Sequence, residues 1–203
     1  MEVYLFFAGG HCKQVIDIFE DNNINIIGIF DDFKEKGSLF YKNYKIIDKI
    51  VNACDYLDSK SNLFCAIGDN KIREKIHANF IEYNFINCIS QKSYISNSVK
   101  IGYGNYIGDF SVILSDSSIG NFNIINTKAN IAHDIIIGNY NHIAPSSTLS
   151  GNVIIGDLNL LGANCTINPK IKIHNNNIIG SGSVIIRDIN SNIKIVGNPG
   201  RII

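Results

Sequence analysis

From Ile95 onward an aliphatic residue returns at every sixth position. The series runs Ile95, Ile101, Ile107 and on through Ile131, Leu149 and Leu161 to Ile179 and Ile185, sixteen members without an insertion. An α-helix of about 3.6 residues per turn would carry such positions round its whole surface, so a helix is excluded. The period suits a coil of short flat strands with a corner every six residues. The residue after the aliphatic is Gly at 102, 108, 120, 138, 156, 162 and 180, and Asn at 126 and 168. Both types tolerate unusual dihedrals, which predicts that this column forms the corners. The residue two before the aliphatic is mostly small or β-branched, at Ser111, Ser117, Ala129, Ser147, Val153, Cys165, Ile171 and Ser183. A tapering interior demands that. Three hexapeptides close one triangular turn, so residues 95–185 predict about five coils, stacked roughly 4.8 Å apart.

Residues 1–90 follow a different pattern. Val3 to Phe7 is an apolar run ending at Ala8-Gly9-Gly10-His11, and a helical spacing of Val15, Ile18 and Phe19 follows. Ile24 to Phe30 predicts a second strand ending at Asp31-Asp32. Leu63 to Ile67 predicts a third, ending at Gly68-Asp69-Asn70. Lys71 to Tyr83 predicts a second helix and Phe85 to Ile89 a last strand. Strand, glycine turn, helix and strand in this order predict a small Rossmann-like α/β domain over 1–90 and a coiled domain over 91–203. Ligands of such sheets sit at the carboxyl ends of the strands, where the loops 8–11, 31–32 and 68–70 all fall.

Composition narrows the partners. Eighteen Lys plus Arg balance eighteen Asp plus Glu, and no charge run occurs. That argues against a nucleic-acid binder, which needs a clustered basic surface. No apolar stretch is long enough to span a membrane, and no signal peptide is expected. Cys12, Cys54, Cys65, Cys88 and Cys165 are scattered and odd in number, so reduced thiols and a cytoplasmic location are expected, with no metal site.

Candidate chemistry falls in both parts. Gly9 and Gly10 before a helix let backbone N–H groups approach a phosphate, with His11 beside them. The full GxGxxG signature is missing, because Phe7 stands at the first glycine position, so a dinucleotide cofactor is not expected. Asp31 and Asp32 suit hydrogen bonds to a ribose or base, and Gly68, Asp69 and Arg73 form a comparable group. Each of these also fits a turn or a solvated loop.

In the coils, His133-Asp134 stands out. The residue one coil later is Gly151, so an imidazole base has a bare backbone N–H one coil spacing away. Base and N–H suit acyl transfer, the one taking a proton and the other receiving the tetrahedral oxyanion, with Asp134 orienting the ring. His142 lies half a coil away. His174 follows Ile173 and reads as a corner residue. Ala144, Gly162 and Gly180 stack at intervals of 18, beside Pro145, Ala163 and Ser181. Two columns without large side chains leave a groove for a thin ligand arm such as pantetheine. Ordinary corner packing is the alternative.

The hexapeptide columns resemble the left-handed parallel β-helix transferases. The Ala-Gly-Gly-His loop, the Asp-Asp pair, Ile-Gly-Asp-Asn-x-x-Arg and Asn-x-x-x-x-Ile-x-His-Asp together resemble one family. It holds bacterial nucleotide-sugar 4-N-acetyltransferases and sialic-acid O-acetyltransferases. The resemblance implies an α/β Rossmann-like domain followed by a left-handed β-helix, assembled as a homotrimer with active sites between subunits. It implies acetyl-CoA as co-substrate and a UDP- or dTDP-linked amino sugar as acceptor. By position it makes His133 the general base, Asp134 its partner and Gly151 the oxyanion donor. His142 then contacts acetyl-CoA from the adjacent subunit, and Ala163 and Ser181 line the pantetheine arm. Gly9, Gly10, His11, Asp31, Asp32 and Asp69 match nucleotide-sugar contacts. Phe7 and Cys12 depart from the family pattern. The alternatives are O-acetylation of a sialic acid or other sugar hydroxyl, a zinc hydratase built on His133, His142 and His174, and a non-catalytic trimeric scaffold.

Overall fold

The computed structural model describes all 203 residues, which divide into two compact units, Met1–Gln91 and Lys92–Ile203. In the first, β1 (Glu2–Phe6), α1 (Gly10–Asp21) and β2 (Asn25–Phe30) form a parallel crossover. A hairpin of β3 (Leu39–Tyr41) and β4 (Tyr44–Asp48) follows, then a 3-10 turn at Ile50–Asp55, β5 (Asn62–Cys65), α2 (Asn70–Asn79) and β6 (Asn84–Phe85). The strand order is β3-β4-β2-β1-β5-β6. The chain leaves β1 for β2 on one side and returns to β5 on the other. The carboxyl end of β1 is therefore the switch point, where such sheets open a crevice. α1 buries Cys12, Val15, Ile16, Ile18 and Phe19 against the sheet. No helix is long and apolar enough to cross a membrane.

Three elements differ from expectation. The hairpin 39–48 was not foreseen. The second helix ends at Asn79 rather than Tyr83, because Phe80 turns out of the helix to bury its ring against Phe6, 4.7 Å between centroids. The last strand splits into Asn84–Phe85 and Cys88–Ile89.

The second unit is a triangular prism of parallel two-residue strands. One face stacks 106–107, 124–125, 142–143, 160–161 and 178–179. The second stacks 94–95, 112–113, 130–131, 148–149, 166–167 and 184–185. The third stacks 100–101, 118–119, 136–137, 154–155 and 172–173. Each strand pairs with the residue 18 further on, as in Ile131 with Leu149 and Ile143 with Leu161. The aliphatic column from Ile107 to Ile185 is buried throughout.

The corners are not where the glycines predicted them. The left-handed residue falls two positions later, at Gly104, Phe110, Asp116, Phe122, Lys128, Asp134 and onward every six residues to Asn176, with φ near 60°. Gly102, Gly120, Gly138, Gly156 and Gly162 have ordinary φ values. They are glycine because a Cβ would strike the next coil: at Gly120 it would lie 2.4 Å from the carbonyl oxygen of Gly138.

A buried ladder of asparagines was likewise not foreseen. Asn105, Asn123, Asn141, Asn159 and Asn177 stack 18 residues apart and are fully buried. The Asn141 Nδ2 donates to Asn123 Oδ1 (3.0 Å) and Gly156 O (2.8 Å), and its Oδ1 accepts from the backbone N of Asn159 (2.8 Å). Each side chain thus satisfies coil backbone that the sheet hydrogen bonds miss. Asn141→Leu keeps the branched outline of the side chain but strands buried polar groups, and we expect it to cost about 3 kcal/mol or more in urea denaturation.

Candidate active site

In the prism, His133 and Asp134 occupy the corner that follows the strand Asn130–Ile131. Asp134 is itself the left-handed residue, φ 57°, a conformation Asp tolerates better than most. The corner is held from both sides: the Asp134 N–H donates to Ser115 O (3.0 Å), and His133 O accepts from Asn152 N (3.1 Å). His133 Nδ1 lies 2.6 Å from Asp134 Oδ2, and the two side chains are 59% and 52% exposed. Since a carboxylate only accepts, it fixes a proton on Nδ1 and leaves Nε2 as the basic nitrogen.

The ring lies directly against Gly151. A Cβ built there would be 2.8 Å from both Cε1 and Nε2 of His133. The Gly151 carbonyl accepts from Lys170 N (3.0 Å), while its N–H donates to no group of the chain. The corner after the third face is different. There the N–H groups of Asn121, Asn139 and Asp157 donate to Asn139 Oδ1, Asp157 Oδ1 and Asn175 Oδ1, at 2.9, 2.6 and 2.8 Å. One edge of the prism is sealed by side chains, and the edge at His133 leaves its donor open.

His142 stands on the first face, outward from the strand His142–Ile143, whereas His133 follows the second face. Its Nε2 lies 3.2 Å from Asn126 Nδ2, the residue that opens the Asn-x-x-x-x-Ile-x-His-Asp motif, although the sequence did not pair the two. His133, His142 and His174 form no metal-ligating group. Ala144, Gly162 and Gly180 do stack. A Cβ on Gly162 would lie 2.5 Å from Ser181 N, so the column is closed by backbone contact. Ala163 is half-buried and Ser181 exposed beside it. At Gly180 the column is roofed by the tail, whose Val196 Cγ1 would lie 2.7 Å from an added Cβ.

In the first unit, a cavity of about 410 Å³ opens at the carboxyl ends of β1, β2 and β5. It brings together Gly9, Gly10, His11, Asp31 and Gly68, and adds Phe7, Phe33 and Lys34. A Cβ on Gly9 or Gly10 would meet nothing within 4 Å. Unlike the prism glycines, these two are not required by packing, and both line the cavity. Phe33 is 91% exposed on the rim, an aromatic face without a covering partner. Phe7 holds φ 73°, a strained value for a bulky residue at the position where the family pattern has glycine.

Asp31 clamps this loop. Buried to 5% exposure, it accepts from Ala8 N (2.7 Å) through Oδ2 and from Phe33 N (2.9 Å) through Oδ1. Asp31→Ala would leave both N–H groups without their charged acceptor and release Phe7 and Phe33 together. The expected loss is about 2–3 kcal/mol by chemical denaturation. Three expected contacts lie outside the cavity lining. Asp32 Oδ1 accepts from Ile50 N (2.9 Å), and Asp69 caps α2 by accepting from Ile72 N (2.9 Å). Arg73 is buried, its guanidinium donating to Ile67 O, Gly68 O and Asn70 Oδ1 at 3.1, 2.9 and 2.7 Å, and burial lowers its pKa to about 10. These three shape the loops. Another cavity, about 440 Å³, lies between Ile185 and Ile202 at the end of the prism and includes none of these residues.

Residues 2–80 match the PglD N-terminal domain, and residues 152–187 match the bacterial transferase hexapeptide of six repeats. The chain is 29% identical to PerB of Caulobacter crescentus, solved in complex with CoA and GDP-perosamine. That match covers 100% of this chain and 97% of that one, with a TM-score of 0.91. It is 25% identical to the acetyltransferase domain of PglB from Neisseria gonorrhoeae in complex with acetyl coenzyme A, covering 100% and 98%, with a TM-score of 0.92.

Both units are thus similar to PglD-like hexapeptide-repeat acyltransferases. The prism is accordingly a left-handed parallel β-helix. These acyltransferases solved with coenzyme A are similar to the chain over its whole length. An uncharacterised protein of Acanthamoeba polyphaga mimivirus is 52% identical over 100 residues. Those residues make up 49% of this chain and only 20% of that relative, so the chain spans about a fifth of the curated relative's length.

Proposed function

We propose that the chain is an acetyl-CoA-dependent N-acetyltransferase acting on the 4-amino group of a nucleotide-linked amino sugar. The observation that carries this reading is His133, paired through Nδ1 with Asp134 and laid against the unpaired N–H of Gly151. In this reading the amine lone pair attacks the thioester carbonyl. The carbonyl oxygen becomes an oxyanion and takes a hydrogen bond from Gly151 N–H. His133 Nε2 removes a proton from the nitrogen, the C–S bond breaks, and coenzyme A leaves as the thiol after protonation. No covalent enzyme intermediate is formed. Cys165, fully buried with its thiol pKa raised by desolvation, is not a nucleophile.

The stacked column Ala144, Gly162 and Gly180, with Ala163 and Ser181, holds the pantetheine arm, and His142 contacts acetyl-CoA from the adjacent subunit of a homotrimer. The first unit holds the nucleotide sugar through the Gly9-Gly10-His11 loop, with Asp31 shaping the pocket. The complex of PerB with GDP-perosamine supports a nucleotide-linked amino sugar and widens the base from uracil and thymine to guanine.

A thiol-release assay tests the acceptor. Acetyl-CoA is supplied with GDP-, UDP- and dTDP-linked 4-amino sugars, a 3-amino sugar, and free and CMP-linked sialic acid. Release with a 4-amino sugar is the expected result. Release with sialic acid alone would replace the amide-forming reading with O-acetylation.

A further inference from the structure

The prism does not end on a complete coil. Core residues elsewhere pair 18 positions apart, but Ile173 bridges to Ile189, and Ile193 N donates to Asn177 Oδ1 (2.8 Å), each a step of 16. The second face gains no further strand after Val184–Ile185. The chain turns instead at Gly197–Gly200, where Val184 N donates to Gly197 O (3.0 Å) and Gly200 N to Val184 O (2.8 Å). It returns as the strand Arg201–Ile202, antiparallel to Lys194–Val196. The core of one more coil is therefore missing, and the cavity of about 440 Å³ lies at that end, against Ile185, Ile189 and Ile195.

The lining is unlike that of an ordinary solenoid end, which turns a polar surface to water. Six isoleucines and Pro199 supply its apolar part, and no aromatic ring is present to stack a base or a sugar. Arg187 and Arg201 complete it. Both are exposed, and neither guanidinium is engaged by a carboxylate or carbonyl of the chain. Asp188 is the one acid of the lining, and its Oδ1 accepts from Lys172 N (2.9 Å). Two positive charges thus face one negative charge beside an aliphatic hollow. A guanidinium fork suits the oxygens of a carboxylate or phosphate. The volume falls within the range of about 300–1,000 Å³ usual for small-molecule sites, which combine an apolar lining with a few polar groups.

We propose that this cavity binds a single-chain anionic amphiphile, an alkyl carboxylate or alkyl phosphate, with its chain against the isoleucines and its head on Arg187 and Arg201. The site is separate from the acetyl-transfer machinery, because Ala144, Gly162, Ala163, Gly180 and Ser181 take no part in its lining.

Isothermal titration of the full chain with octanoate, octyl phosphate, octanol and octyltrimethylammonium tests this. Both anions are expected to saturate at one molecule per chain, and the alcohol and the cation to bind at least roughly 10-fold more weakly. Arg187→Gln and Arg201→Gln should each weaken the anions by roughly 10-fold, the worth of one charged hydrogen bond. Their thermal melts should match wild type, since both side chains are exposed and unpartnered. Saturating CoA should leave octanoate affinity unchanged. Octanol binding as tightly as octanoate, or wild-type affinity in both arginine variants, overturns the proposal. Displacement of octanoate by CoA would give the cavity to the coenzyme instead. Sedimentation velocity shows whether prisms pair end to end; pairing that excludes octanoate and is broken by Ile202→Asn would give the cavity to a second copy and also overturn the proposal.

Discussion

His133→Ala lowers the turnover of acetyl transfer by about 10²–10⁴-fold, the usual contribution of a positioned general base. In the proposed mechanism the loss falls on kcat, because the imidazole acts on the proton released as the amide forms. KM for acetyl-CoA is expected to change little, since the groove proposed for the pantetheine arm, from Ala144 to Ser181, is untouched. Stability changes little as well. The side chain is more than half exposed, and its corner is held by backbone bonds from Asp134 N to Ser115 O and from Asn152 N to His133 O. Steady-state kinetics beside a thermal melt separates the two effects. A near-normal kcat in a folded variant would remove His133 from the mechanism.

Gly151→Ala carries the second large effect. The new Cβ would arrive 2.8 Å from Cε1 and Nε2 of His133. Two neighbours could yield, the coil backbone or the exposed ring, and the ring is softer. Gly151 has no left-handed φ, so alanine brings no backbone strain. The coil should therefore stay intact while the imidazole swings out of line with the Gly151 N–H. A displacement of that size costs about 10²-fold in kcat. Single-turnover acetyl transfer with saturating substrates measures it. A variant with full kcat would show that Nε2 does not act from the position seen against Gly151.

The coiled half was legible because every sixth residue must face one narrow interior, and no other packing tolerates that period. The corner position was misread because a glycine has two causes that look alike in sequence. Gly104 is there for its φ of 68°, but Gly120 and Gly138 are there because the next coil leaves no room for a Cβ. The Asn105–Asn177 ladder was hidden by how common asparagine is throughout the chain, so its recurrence at intervals of 18 did not stand out. In the first unit, loops at strand ends were located correctly, but side-chain direction was not legible there. Asp31 and Asp32 are adjacent and chemically identical. One turns inward to hold Ala8 and Phe33, and the other turns away to Ile50. Arg73 carried a ligand-binding chemistry in sequence, yet its guanidinium is used up by Ile67, Gly68 and Asn70. Phe33 and Lys34 had no pattern of their own, and only the fold brings them to the cavity mouth.

In the proposed function this chain moves an acetyl group from coenzyme A to a sugar amine with His133 as base. The most direct measurement is mass spectrometry of the acceptor after incubation with acetyl-CoA and GDP-, UDP- or dTDP-linked 4-amino sugars, run with wild-type protein and His133→Ala side by side. The expected result is one added acetyl group on a 4-amino sugar nucleotide, stable to hydroxylamine as an amide, with wild-type protein and only a trace with the variant. Equal product from both proteins, or no acetylated sugar from wild-type protein that binds acetyl-CoA, would contradict it.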